Sequence, residues 1–138
     1  MRKKKLKKKN INTIKKLAKS IYGSLGSGYN EVIYDNAMQV GLRILKIPYE
    51  SQKAVELKYK GYYVGEGYPD IIVHFGKNFK LVVELKAVGS ELGFPEEQQL
   101  RNYMELLDIK YGLLINFQQP GRSKKEKSHI VEFKEIYL

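Results

Sequence analysis

Asp70, Glu84 and Lys86 are the residues whose types and spacing could do chemistry in this sequence. The segment Phe79 to Ala87 reads as a buried strand. Strand side chains alternate faces, so Leu81, Val83, Leu85 and Ala87 share one face, and Val82, Glu84 and Lys86 share the other. A carboxylate and an ammonium on a mostly apolar strand are costly to desolvate unless paired or liganded. Asp70 opens the preceding strand segment. If the two strands run antiparallel, Asp70 and Glu84 fall on one face, a few ångströms apart. Such carboxylates repel unless a proton or a cation lies between them. Mg²⁺ suits the pair, being a hard ion that takes oxygen ligands and keeps several waters. Lys86, one strand repeat beyond Glu84, could orient or help deprotonate a water and balance charge at a transferring phosphate. The same residues could instead form a structural ion pair. Spacing leaves both readings open.

The elements that must position these residues follow from periodicity and turn chemistry. Ile11, Ile14, Leu17, Ala18 and Ile21 recur at helical spacing and predict a helix over roughly 11–22. The run Gly23 to Gly28 breaks it. A second helix is expected from Asn30, a good N-cap residue, to Pro48, with Tyr34, Met38, Gly41, Leu42 and Leu45 facing inward. Glu31 heads that stripe, as a further candidate acid or as a first-turn carboxylate favoured by the helix dipole. Lys53 to Tyr59 predicts a strand, Lys60-Gly61 a hairpin turn, and Tyr62 to Val64 the return. Gly65 to Pro69 reads as flexible or bulged. Asp70 to Phe75 and Phe79 to Ala87 complete an expected three-stranded antiparallel meander over 53–87. His74 shares the Asp70 face but lies roughly 13 Å along the strand, which favours a structural role. Most tyrosines read as strand and core material, with Tyr68, beside Asp70, as a candidate for substrate contact.

Pro95, Glu96 and Glu97 suit the first turn of a third helix, whose stripe is Leu100, Tyr103, Met104 and Leu107. Gln99 and Tyr103 are neighbours at i and i+4. Tyr111 to Phe117 is a nearly continuous apolar strand, as expected of one covered on both faces. Residues 118–127 read as a polar loop, with Gly121 to Lys127 solvated and His129 at the surface. A last strand is expected over 129–137. Helices before and after the strands argue a mixed α/β layer fold.

The chain has 138 residues, 43% of them hydrophobic, and a net charge of +10. That length fits one domain with a real core. The charge is concentrated: residues 1–19 hold ten Lys/Arg and no acid, and the remainder balances 15 basic against 15 acidic residues. Arg2, Lys3, Lys4, Lys5, Lys7, Lys8 and Lys9 are expected to form a disordered basic arm over 1–10, either in contact with nucleic-acid phosphates or simply solubilising. There is no cysteine, hence no disulfide and no thiolate metal site. No apolar run approaches the roughly 20 residues that span a bilayer, and no signal-peptide core follows the basic start. A cytoplasmic location is expected, or a nuclear one in a eukaryotic host.

Several blocks, in order, carry a resemblance. Pro69-Asp70, thirteen intervening residues and Glu84-Leu85-Lys86 resemble the PD-(D/E)XK nuclease superfamily. Gln99 to Tyr103 resembles the QxxxY motif of its recombination-type members. Gly28, Glu31 and Tyr34 match the signature of the GxxExxY proteins, whose later Gly-Leu-Leu-Ile-Asn-Phe strand appears as Gly112 to Phe117. The resemblance spans about residues 22–137. It implies a restriction-endonuclease-like αβββαβ core, here with an extra N-terminal helix and C-terminal strand. It also implies roles: Asp70, Glu84 and the Leu85 carbonyl as metal ligands, Glu31 near the metal through water, and Lys86 activating the attacking water. Gln99 would support Lys86 or contact DNA, Tyr103 would buttress it, and Tyr34 would be a supporting residue.

The expected function is a Mg²⁺-dependent nuclease acting on DNA in repair or recombination, with Mn²⁺ as a substitute. The competing expectation is a catalytically silent nucleic-acid-binding module of nuclease ancestry that acts with a partner protein. A homodimer or a helper protein is expected in either case, since a small neutral body grips a long duplex poorly.

Overall fold

Alternating apolar strands with helical stripes on either side dictate a sheet covered on both faces, and that is the architecture of the computed structural model. It describes residues 2–120 and 130–138, with the side chain of Arg2 left aside. The expectations for Gly121 to Lys127 and for His129 lie outside the described residues. Helix α1 (Arg2–Leu25) and helix α2 (Glu31–Ile44) precede β1 (Tyr49–Ser51), β2 (Val55–Tyr59), β3 (Tyr62–Gly67), β4 (Ile71–Phe75) and β5 (Phe79–Lys86). Helix α3 (Phe94–Leu107), β6 (Tyr111–Phe117) and β7 (Val131–Tyr137) follow.

Five strands form the main sheet in the order β1-β4-β5-β6-β7. Strands β5 and β6 are parallel, and α3 makes the crossover between them. The other pairings are antiparallel. The expected mixed α/β core is present: α2, β1, β4, β5, α3 and β6 supply the αβββαβ order, with α1 and β7 added at the ends.

Three expectations are corrected. The helix expected over 11–22 starts at Arg2, so the stretch expected to be a disordered arm is helical. One face of it is apolar from Ile11 onward, and burying Ile11, Ile14, Ala18 and Ile21 lets the helix propagate backward through lysines, which are good helix formers. The meander over 53–87 does not form. Strands β2 and β3 pair only with each other in a separate two-stranded sheet, and β1, where no strand is expected, is the edge strand beside β4. Three residues carry too little alternation to register as a strand. Finally, Tyr59, Tyr62, Tyr63 and Tyr68 are exposed rather than core material.

Alternation along β5 separates two cores. Leu81, Val83 and Leu85 face α1 and α2, packing with Ile14, Met38 and Leu42. Val82 faces α3, packing with Ile72, Leu114, Leu100 and Met104. Helix α3 comes close to the sheet over Gly112, where an added Cβ would lie 2.5 Å from Met104 Sδ and 3.1 Å from Leu100. Gly112→Ala is therefore expected to overpack this core and cost about 1–3 kcal/mol, read as a lower urea midpoint at unchanged slope.

Candidate active site

The β4–β5 register pairs Ile71 with Val83. Continued by one residue, it sets Asp70 opposite Glu84. The two strands are locked there by side chains. Glu84 Oε1 accepts a 2.8 Å hydrogen bond from the Asp70 backbone N–H, and Asp70 Oδ2 accepts one of 2.8 Å from the Leu85 N–H. Each carboxylate is thus fixed by the backbone beside the other. Asp70 Oδ1 also accepts a longer bond, 3.4 Å, from Gln52 Nε2.

The pair is electrostatically uncomfortable, with Glu84 buried and Asp70 half-buried. Glu84 is 4% exposed. Burial, then the Asp70 charge, pushes its carboxyl up to about 8, against the pull of the Asp70 N–H and Lys86. Burial likewise raises Asp70, although the Leu85 N–H and Lys86 oppose the shift. Glu31, on the first turn of α2, is raised by burial and then by the Asp70 charge, with Lys86 again pulling down. Asp35, one helical turn on, is buried and raised by desolvation, while its bond from Gln39 Nε2 (2.7 Å) resists the shift. Burial thus raises all four acids, and Lys86 pulls three of them, Glu31, Asp70 and Glu84, the other way.

This donor set fits a hard divalent cation. Such an ion takes one or two carboxylates and fills its remaining positions with water. It also relieves the repulsion that raises these carboxyls. Among the described residues, no three acidic or imidazole side chains are already grouped for coordination.

Lys86 ends β5 beside Asn116 of β6. It lines an open depression of about 680 Å³ with Phe94, Gln98, Gln99 and Asn102 from the start of α3. Gln99 is exposed there, lining the same depression as Lys86. The loop leaving Lys86 is held by Asn116, a fully buried side chain. Its Oδ1 accepts from the Val88 N–H (3.0 Å), and its Nδ2 donates to the Val88 carbonyl (3.2 Å) and to Glu132 (3.2 Å). Helix α3 is then capped by Gly93, whose N–H donates to Glu96 Oε2 at 2.9 Å.

Tyr103 reaches the end of β3. Its hydroxyl accepts a 3.2 Å bond from the Tyr68 N–H, and its ring fills the space where a Gly67 Cβ would be. It braces the approach to Asp70. Tyr34 is fully buried, stacked on Phe117 with centroids 4.5 Å apart. Its hydroxyl donates to the Gly26 carbonyl (2.7 Å) and accepts from Gln119 Nε2 (3.1 Å), and Gln119 Oε1 accepts from the Gly28 N–H (2.6 Å). Gly28, at φ 105°, and Tyr34 thus fix the loop that aims Glu31. His74 pairs with Glu50 of β1 at 3.0 Å, an edge contact away from the acids.

The basic half of α1 is not brought to this cluster. Lys7 lies 5.8 Å from the Phe79 ring centroid and 4.8 Å from that of Tyr111. Phe79 begins β5, five residues or roughly 17 Å along the strand from Glu84. Sequence reasoning misses Asp35, Gln52, Asn116 and Gln119 as site residues. Asp35 follows Glu31 at i+4, which places both on one helix face. Asn116 is the one polar residue inside the apolar run of β6.

With the paired acids, the lysine and their strands in place, comparison with known proteins is decisive at the level of family. The sequence profile of the PD-(D/E)XK nuclease superfamily matches residues 8–130. The chain belongs to this superfamily. The fold of this superfamily member is also similar to that in the crystal structure of SSO0001, with a TM-score of 0.55 at 21% identity. The match covers 78% of this chain and 50% of that one, so the chain spans about half the length of SSO0001. No curated protein matches it. No helix among the described residues is long and apolar enough to cross a membrane.

Proposed function

We propose that the chain hydrolyses phosphodiester bonds in DNA, using Mg²⁺, with Mn²⁺ as a substitute. The observation that carries this reading is the reciprocal clasp of Asp70 and Glu84, a half-buried and a buried acid set side by side, with Lys86 on the Glu84 face. Asp70, Glu84 and the Leu85 carbonyl would hold the ion, with Glu31 acting through water. When bound, the ion supplies Lewis-acid polarisation of the phosphate and offsets its charge.

This chain's own residues do the rest. Lys86 orients the attacking water and offers positive charge to the phosphate oxygens as negative charge builds. The water oxygen bonds to phosphorus, the bond from phosphorus to the leaving oxygen breaks, and that oxygen ends protonated. Gln99, beside Lys86, contacts the substrate backbone. Asn116 keeps Lys86 in place by pinning the loop behind it. The narrower affiliation with the GxxExxY proteins belongs to the same proposal, supported by what Gly28, Glu31 and Tyr34 do in the fold. So do a role in repair or recombination inside the cell, and a second copy or a helper protein to complete the grip on DNA.

Cleavage of linear, nicked, branched and single-stranded DNA with Mg²⁺ or Mn²⁺ tests the reading. Turnover of at least one substrate is expected, stopped by chelation and strongly reduced in Lys86→Ala. Equal turnover by that variant would place the activity elsewhere.

The silent binding module is favoured by one observation. Lys5, Lys8, Lys9, Lys16 and Lys19 form an exposed stripe on α1, away from the acids, suited to phosphates at a distance from any cut. Replacing Lys5, Lys8 and Lys9 by glutamine is expected to weaken duplex binding and flatten its log-log salt dependence by roughly 0.9 for each phosphate that is no longer neutralised. The slope of affinity against salt checks this. An unchanged slope would remove the stripe from the interface.

A further inference from the structure

The β2–β3 hairpin stands apart from the main sheet, and every residue from Glu56 to Val64 is exposed. A lone two-stranded ribbon is marginally stable in water, and exposed aromatic surface of this extent marks an interaction site. Tyr59 is 63% exposed, Tyr62 77% and Tyr63 59%. Register sets Tyr59 against Tyr62 and Lys58 against Tyr63, and Lys60 Nζ lies 5.4 Å from the Tyr59 ring centroid. The tip from Lys58 to Tyr63 therefore holds three tyrosines and two lysines, with no acid.

The root of the ribbon is tied to the acid cluster. Gly67 packs on Tyr103, the Tyr68 N–H donates to the Tyr103 hydroxyl at 3.2 Å, and Asp70 follows two residues later. From Tyr62 to Tyr68 the ribbon spans roughly 20 Å, a reach of several nucleotides from the acids.

We propose that this ribbon is a stacking platform for unpaired nucleic-acid bases, which makes the preferred substrate one with a single-stranded segment beside the scissile phosphate. The position of that segment beside a scissile phosphate rests on the nuclease reading of Asp70 and Glu84. Lys58 lies 3.9 Å from Glu56, so Lys60, over the Tyr59 ring, is the tip's main cation; aromatic faces beside it match the two needs of a single strand, base stacking and phosphate neutralisation. A duplex keeps its base faces occupied. A second copy of this chain fits less well, because a two-fold contact would bring like-charged tips together.

The test measures binding in the presence of a chelator, so it does not depend on catalysis. Fluorescence anisotropy compares an oligothymidine of about 16 nucleotides with a blunt duplex, on wild type and on the triple variant Tyr59→Ser, Tyr62→Ser, Tyr63→Ser. The triple variant is expected to bind oligothymidine at least about tenfold more weakly, with duplex affinity held within about twofold. The matching triple phenylalanine variant, which keeps the ring faces, should bind oligothymidine like wild type. Circular dichroism confirms the fold of each. Unchanged oligothymidine affinity in the serine variant overturns the proposal, as does an equal loss on duplex. Conversion of a dimer to a monomer without loss of oligothymidine affinity also overturns it, in favour of self-association. A wild type that binds as expected but cleaves nothing with metal would leave the platform standing and remove only the nuclease reading.

Discussion

Lys86→Ala is expected to lower metal-dependent cleavage by roughly 10²–10⁴-fold without loss of fold. The residue sits at the end of β5, half-buried, with its charge the main positive counterweight to Glu84, Asp70 and Glu31. Its removal leaves the two clasp hydrogen bonds intact, because both are made by Asp70, Glu84 and backbone. Metal affinity should hold or tighten, since the site becomes more negative. The loss should therefore fall on kcat rather than on metal requirement. Single-turnover rates at saturating Mg²⁺ measure it. A variant that recovers the wild-type rate with more metal would assign Lys86 to ion binding rather than to the water and the phosphate.

Glu84→Gln should have the second large effect, and its sign is opposite for stability and function. The Glu84 carboxyl is raised from 4.5 to about 8 in the fold. A raised carboxyl favours the folded state fully below its ordinary range, and that contribution is lost as pH climbs through the folded value. The metal-free protein should therefore be more stable at pH 5 than at pH 9. The loss is on the order of a few kcal/mol, at about 1.4 kcal/mol per pKa unit, or on the order of 10 °C in Tm. Glutamine retains the Oε1 acceptor for the Asp70 N–H and carries no charge. The variant should escape this loss and melt above wild type at high pH, while cleavage disappears. Trading stability for function in this way is common at catalytic sites. Melting curves across that pH range, with and without Mg²⁺, check it: added Mg²⁺ should raise the wild-type Tm at high pH and leave the variant where it was.

The centre of the site is legible in the sequence because β5 obeys strict alternation and because two acids and a lysine stand out on an apolar strand. The β4–β5 pairing follows from the tight turn at Gly76 to Asn78. What escapes is tertiary. Strand β1 is three residues long and exists because β4 offers it an edge. The hairpin's sequence alternates like any strand pair, and nothing local says that it leaves the sheet. Asp35 reads as an ordinary polar helix residue until burial and the approach of Asp70 give it a role. Asn116 stands in the sequence only as one residue of a family motif; its hydrogen bonds to Val88 show why a polar side chain belongs inside that strand. The lysines of α1 are legible as charge, but their distance from Glu84 is not, because it depends on α1 lying along the sheet with Lys7 over Phe79.

The central claim is that Asp70 and Glu84 together hold a divalent ion. Calorimetric titration of Mn²⁺ into wild type and into Asp70→Asn, both shown to be folded, tests it most directly. The predicted result is saturable binding by wild type, competed by Mg²⁺, and none by Asp70→Asn. Identical titrations for the two proteins, or no saturable heat for wild type at any pH where it is folded, would contradict it.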